Sequence, residues 1–156
     1  PNPTDRAKRG WKWSQAVDCH GVAVGWSIDG ANRHDIAMIE PTLDDVTVRG
    51  LHLDIDTLHL DRGYDFKSTR ARLARFGLND ICIQPRRPAG EGGSKKLLKL
   101  GLRWIVEAAN SWLSNFGQLR RNTDRRTRHR HAALCLANTI LITMKLITWR
   151  DRYSPT

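Results

Sequence analysis

Cysteine is scarce. Cys19, Cys82 and Cys135 are the only three in 156 residues, and they lie far apart. An odd number at that spacing excludes a disulfide framework and a cysteine-based zinc cluster, and fits a reduced, intracellular protein. Long apolar runs are lacking too. The longest tract, 132–149, is broken by Asn138, Lys145 and several threonines, which argues against a membrane span and for a soluble chain. No basic-then-apolar leader opens the sequence. It begins Pro1-Asn2-Pro3-Thr4, without Met, as expected of the middle of a longer reading frame whose N-terminal part is missing. Nothing repeats internally, and the length suits one domain with a real core.

Acidic residues are nearly absent from one stretch. Residues 1–85 balance 11 basic against 12 acidic groups, whereas 86–130 carry 12 basic groups against Glu91, Glu107 and Asp124 alone. That third of the chain holds almost all of the net charge of +10. A concentrated basic field suits a polyanion, because each phosphate neutralised releases condensed counterions. The competing explanation is a solubilising face or a basic loop. Arg120, Arg121, Arg125, Arg126, Arg128 and Arg130 are the candidate phosphate contacts, since guanidinium forks match phosphate geometry.

Hydropathy patterning predicts a mixed α/β chain. Residues 11–16 and 22–28 read as two strands joined by the turn Asp18-Cys19-His20-Gly21. Ile36, Ile39, Leu43 and Val46 then recur at helical spacing, with Pro41 expected to kink or divide the helix. His34-Asp35 ahead of them is explained by capping. Residues 56–61 read as a short strand, Asp65 as the N-cap of a helix reaching Phe76 with Gly77 as its stop, and 81–84 as a second strand. Strand, helix, strand is the pattern of a parallel unit. The stretch 86–101 reads as a basic loop, 102–117 as an amphipathic helix ended by Gly117, and 131–149 as a terminal amphipathic helix.

Two carboxylates stand out by position. Asp61 closes a strand just before a glycine turn, where open α/β sheets present functional groups. Glu107 lies on the polar flank of its helix, four residues after Arg103. Carboxylates on facing elements suit divalent cations, which are held by one or two such groups plus water and substrate phosphate. Ordinary alternatives are a turn residue for Asp61 and an Arg103 partner for Glu107. Of the two tryptophans on that helix, core packing is expected for Trp104. For Trp112, packing and stacking on an unpaired base remain equally open.

Leu58-His-Leu-Asp61-Arg-Gly-Tyr-Asp65 resembles the strand bearing the second Asp of the acidic-triad (DDE) insertion-sequence transposases, and Arg103-Trp-Ile-Val-Glu107 resembles the helix bearing their Glu. Gly10-Trp-Lys-Trp-Ser14, Gly25-Trp26-Ser-Ile-Asp-Gly30 and Gln118-Leu-Arg-Arg-Asn-Thr-Asp-Arg-Arg126 are similar to members named after insertion sequence five. The resemblance implies an RNase H-like mixed sheet flanked by helices. It also implies a two-metal Mg²⁺ or Mn²⁺ site, DNA as partner (transposon ends and target), a homo-oligomer on DNA, no membrane, and a place in the cytoplasm with the nucleoid. By position the resemblance makes Asp61 and Glu107 the catalytic metal ligands and matches Arg103 to the family's Arg, while Trp112 and the six arginines are nucleic-acid contacts expected from stacking and charge alone. The family's Tyr, Arg, Glu, Lys pattern is half kept: Leu100 stands for the Tyr and Ser114 for the Lys. The first Asp belongs to a strand before the hairpin, and Asp18 and Asp29 are poorly placed to replace it. The expectation is therefore a transposase catalytic domain lacking its first strand, 1–156, or else a catalytically dead DNA-binding remnant of one. Loss of a central strand leaves two sheet edges unpaired and predicts marginal folding.

Overall fold

The computed structural model describes residues 10–78, 80–83 and 103–153. Its first unit is the predicted hairpin. β1 (Trp11–Val17) and β2 (Ala23–Gly30) pair antiparallel, with Trp13 opposite Ile28, Gln15 opposite Trp26, and an irregularity at Ala16/Val17. Asp18 closes the turn by accepting the backbone N–H groups of His20 (2.9 Å) and Val22 (2.8 Å). Gly21 supplies the left-handed backbone the turn needs, at φ 75°.

Alternation sends the two faces of the hairpin to different partners. One face meets α1 (Ile36–Val48): Thr42 donates to Ser14 (2.9 Å) and shares a hydrogen bond with Ser27 (2.8 Å). Contact is so close at Gly25 that a Cβ there would stand 2.4 Å from Val46 Cγ2. Pro41 neither divides nor interrupts α1. Its ring deprives the Ala37 carbonyl of a helical partner, but Ala37 and Pro41 are both exposed, so water can take that place.

β3 (Leu58–Leu60), α2 (Lys67–Ala74) and β4 (Ile81–Ile83) form the expected unit, with Leu58 opposite Ile81 in parallel register. Ile39 and Leu43 of α1 join Leu73 and Leu78 in the core beneath it. Asp65 does not cap α2. The helix starts two residues later with Phe66 at its N-cap, while Asp65 pairs with Arg70 at 3.4 Å. Gly77 does end the segment, at φ 70°.

On the other face of the hairpin lie α3 (Arg103–Ser114), the short α4 (Gly117–Arg120) and α5 (Thr127–Tyr153). Gly117 begins α4 rather than ending a helix, and α5 overruns the predicted 131–149 at both ends. The polar residues 127–130 join it because nothing in them breaks a helix. Trp26, Leu113, Leu119 and Leu134 form the second core. Among the described residues β1–β2 and β3–β4 are separate two-stranded sheets, so the chain is mixed α/β. By length and composition α5 is long and apolar enough to cross a membrane, yet its inner residues Leu134, Ala137 and Asn138 are buried in the core. The predicted loop 86–101 lies outside the described residues.

Candidate active site

Asp61 follows the last residue of β3, at the carboxyl end of a parallel strand. Its side chain accepts the Arg62 N–H at 2.6 Å, and its carbonyl accepts that of Tyr64 at 2.9 Å. The turn is thereby wound tightly around this one carboxylate, which remains exposed. Tyr64 packs inward against the α1–α2 core. Burial, and secondarily the carboxylates of Asp35 and Asp61, push its phenol up to about 12, so it stays protonated.

Glu107 is carried by α3, whose Ile105, Ala109 and Leu113 are buried while Trp104, Glu107 and Ser111 are exposed. The helix is pinned to β1 by Trp13, whose indole N–H donates to Asn110 Oδ1 at 2.9 Å. Trp104 is 56 % exposed, against the expectation of core packing. Its place on the helix sets it three residues before Glu107, away from the buried stripe. Trp112 is half-buried and lies under the Lys145 ammonium, 4.3 Å from its ring centroid. That cation also donates to the His20 carbonyl at 2.6 Å, tying α5 to the hairpin turn.

The arginines divide into two kinds. Arg120, Arg121, Arg125, Arg126 and Arg128 are exposed on or beside α4 and the start of α5. Arg130 is turned inward and donates to the Asp124 carbonyl at 2.6 Å, which closes the α4–α5 connection. The Arg103 side chain and Leu100 lie outside the described residues. Ser114 donates to the Asn110 carbonyl at 2.9 Å.

Asp18 and Asp29 are occupied elsewhere: Asp18 closes the hairpin turn, and Asp29 pairs with Arg33 at 2.9 Å. Among the described residues no three His, Cys, Asp or Glu side chains gather closely enough to hold a metal ion. Asp61 and Glu107 still suit Mg²⁺ or Mn²⁺ in kind, as exposed carboxylates offering hard oxygens. The capping expected of His34-Asp35 holds for only one of the two, and Asp35 is not the one. It stands at the N-cap of α1 without a side-chain capping bond, and pairs with Lys12 of β1. The capping contact comes from His34, whose Nδ1 accepts the Ile36 N–H at 3.3 Å. No local signal separated these two roles.

The family model for the transposase DDE domain matches residues 2–144. A Burkholderia cepacia protein named "Putative transposase for insertion sequence element IS402" is 33 % identical over 131 residues, covering 81 % of this chain and 59 % of that protein. The chain thus spans about three-fifths of the length of the curated relative it matches. No solved structure matches. With the family model matching 2–144 of the 156 residues, the chain belongs to the transposase DDE-domain family.

Proposed function

We propose that this chain is the larger part of an RNase H-like transposase catalytic domain, acting in the cytoplasm on DNA. It would hydrolyse a phosphodiester at each transposon end and join the freed 3′ hydroxyl to target DNA. The observation that carries the reading is Asp61, wound into a tight turn at the carboxyl end of a parallel strand. Asp61 and Glu107 would hold Mg²⁺ or Mn²⁺, which when bound supplies charge neutralisation at the phosphate and activation of the attacking oxygen. The chain's own contribution is placement. The β3 turn fixes Asp61, and the Trp13–Asn110 bond fixes the helix that carries Glu107. The exposed arginines 120, 121, 125, 126 and 128, with Arg103, would track the DNA backbone, and a homo-oligomer would hold the two ends together. A strand between β1 and β3, bearing the first Asp, would complete one continuous sheet.

The experiment is cleavage of DNA carrying the element's ends, with Mg²⁺ or Mn²⁺. Protein extended upstream to include an Asp-bearing strand should nick the ends, and Glu107→Gln should abolish nicking while retaining DNA binding. Nicking that survives Glu107→Gln would remove the assignment. A second reading is a DNA-binding remnant without catalysis, for which the exposed arginines 120, 121, 125, 126 and 128 suffice. It predicts salt-sensitive binding with no cleavage even in the extended protein.

A further inference from the structure

In the half of the molecule built on α1 and α2, most arginines are matched to a carboxylate. Arg33 pairs with Asp29 at 2.9 Å, Arg49 with Asp45 at 3.0 Å, Arg70 with Asp65 at 3.4 Å and Arg72 with Glu40 at 3.4 Å. Arg62 is different. It follows Asp61 directly and opens the one-turn helix Arg62–Tyr64. Its side chain is half-buried, and its Nε is closed off from solvent with no hydrogen-bond partner among the described residues. The carboxylates of its own turn are engaged elsewhere. Asp61 Oδ1 accepts the Arg62 backbone N–H at 2.6 Å. Asp65 donates its N–H to the Arg62 carbonyl at 3.1 Å but gives its carboxylate to Arg70. A buried donor without an acceptor carries its full desolvation penalty, and a charged one carries more. A methionine would fill the same space without that cost. The turn therefore keeps a cation that the fold does not use, on the residue next to the candidate catalytic carboxylate.

We propose that Arg62 is a phosphate-binding residue, whose guanidinium turns outward to a backbone phosphate of DNA lying against the Asp61 turn. The inference deepens the reading of this turn as the place where DNA is cut, and rests on DNA passing it. Consecutive Cα atoms stand about 3.8 Å apart, so a phosphate beside Asp61 is well within the reach of an arginine side chain. The guanidinium fork matches the two non-bridging oxygens of a phosphodiester. With Nε closed off in the free protein, the terminal nitrogens make the first contact. No side-chain bond among the described residues holds Arg62 back, so turning outward breaks nothing and gives Nε access to an acceptor. An arginine here also offsets the repulsion that the Asp61 carboxylate exerts on any phosphate brought to it.

Binding of fluorescein-labelled duplex DNA to the 156-residue protein, followed by anisotropy in EDTA over a salt series, tests this without any divalent cation. Arg62→Met should lower the slope of log K against log salt by about 0.9, the share of one phosphate contact. Arg62→Lys should keep the slope and weaken binding severalfold, because an ammonium has the charge but not the fork. The thermal midpoint of Arg62→Met should equal or exceed that of the native protein, since a stranded donor has been removed. Arg62→Leu replaces Arg62→Met if the latter yields no soluble protein. An unchanged slope overturns the proposal. So does a lower midpoint, which would assign the side chain to holding the turn. Asp61→Asn locates the phosphate: loss of that negative charge should tighten binding in EDTA, and by less when combined with Arg62→Met. Equal tightening in both backgrounds, or none, places the phosphate elsewhere and overturns the proposal. The reading of Asp61 as a cation ligand fails separately. If Mg²⁺ tightens DNA binding equally in native protein and in Asp61→Asn, the cation site is lost and the Arg62 contact stands.

Discussion

Gly25 shows how one missing side chain fixes the distance between layers. A Cβ at this position would meet Val46 Cγ2 at 2.4 Å and the Thr42 carbonyl at 2.9 Å, and the second of these is backbone that cannot step aside. Gly25→Ala should therefore push α1 off the sheet and cost about 1–3 kcal/mol, read as a lower urea midpoint; an unchanged midpoint would mean that α1 sits more loosely than described. Tyr64 gives a second test at this scale. Its folded pKa of about 12 lies above the ordinary 10, with burial as the main cause. A raised folded pKa contributes stability that is fully present below pH 10 and is lost as pH climbs through about 12. Native protein should lose stability over that window, Tyr64→Phe should not show the loss, and their ultraviolet difference titration should place the phenolate midpoint near the upper value. At this scale the sequence was legible for Asp61, which a strand end and a glycine turn announce together. It was misleading on Asp35, read as a cap but paired with Lys12, and on Trp104, because whether a helix residue faces a core or water depends on which elements surround it. Asp65 misled for a related reason: it has the chemistry of a cap, but Arg70 claimed its carboxylate.

The joint between β1 and α5 rests on a pair of side-chain amides, one on the buried Asn138 and one on the half-buried Gln15. Gln15 Nε2 donates to Asn138 Oδ1 at 2.8 Å, while Gln15 Oε1 and Asn138 Nδ2 find no protein partner. Asn138→Ala strands a further donor and should cost about 1–3 kcal/mol, whereas Gln15→Leu combined with Asn138→Leu removes every unsatisfied atom at once and should be close to neutral. Chemical denaturation of the three proteins decides it, and a double variant less stable than Asn138→Ala would show that the amides hold the helix in register. The elements themselves were largely readable. Period two gave the hairpin, and turn chemistry at Asp18 and Gly21 located its bend. The parallel pair followed from strand, helix, strand order. Ends were harder: α5 begins at Thr127 rather than 131 and reaches Tyr153 rather than 149, and Asn138, which breaks the apolar tract within it, proves to be a buried contact. Amphipathic period reports which face is apolar, and it is blind to polar side chains that find partners inside.

At the scale of the whole molecule, the charge is segregated rather than spread. The exposed arginines on and around α4 and the start of α5 should dominate the salt dependence of DNA binding. Replacing Arg125, Arg126 and Arg128 with Ala should reduce the slope of log K against log salt by roughly 2–3, at about 0.9 per phosphate contact, and an unchanged slope would place the DNA elsewhere. Adding Arg130→Ala should disturb folding more than the slope, since that side chain holds the Asp124 carbonyl. Assembly of the two sheets was not readable from the sequence, because it depends on contacts between distant segments. Those contacts also set a timetable. Trp26 Nε1 donates to Cys135 Sγ across 109 residues, and Lys145 reaches the His20 carbonyl across 125. On a ribosome adding about 5–20 residues per second, the hairpin waits roughly 5–20 s before the helix that covers its tryptophan face has been made. During that interval Trp11, Trp13, Trp26 and Ile28 present a sticky surface to the crowded cell, so nascent chains stopped short of α5 should be chaperone clients and should precipitate when released.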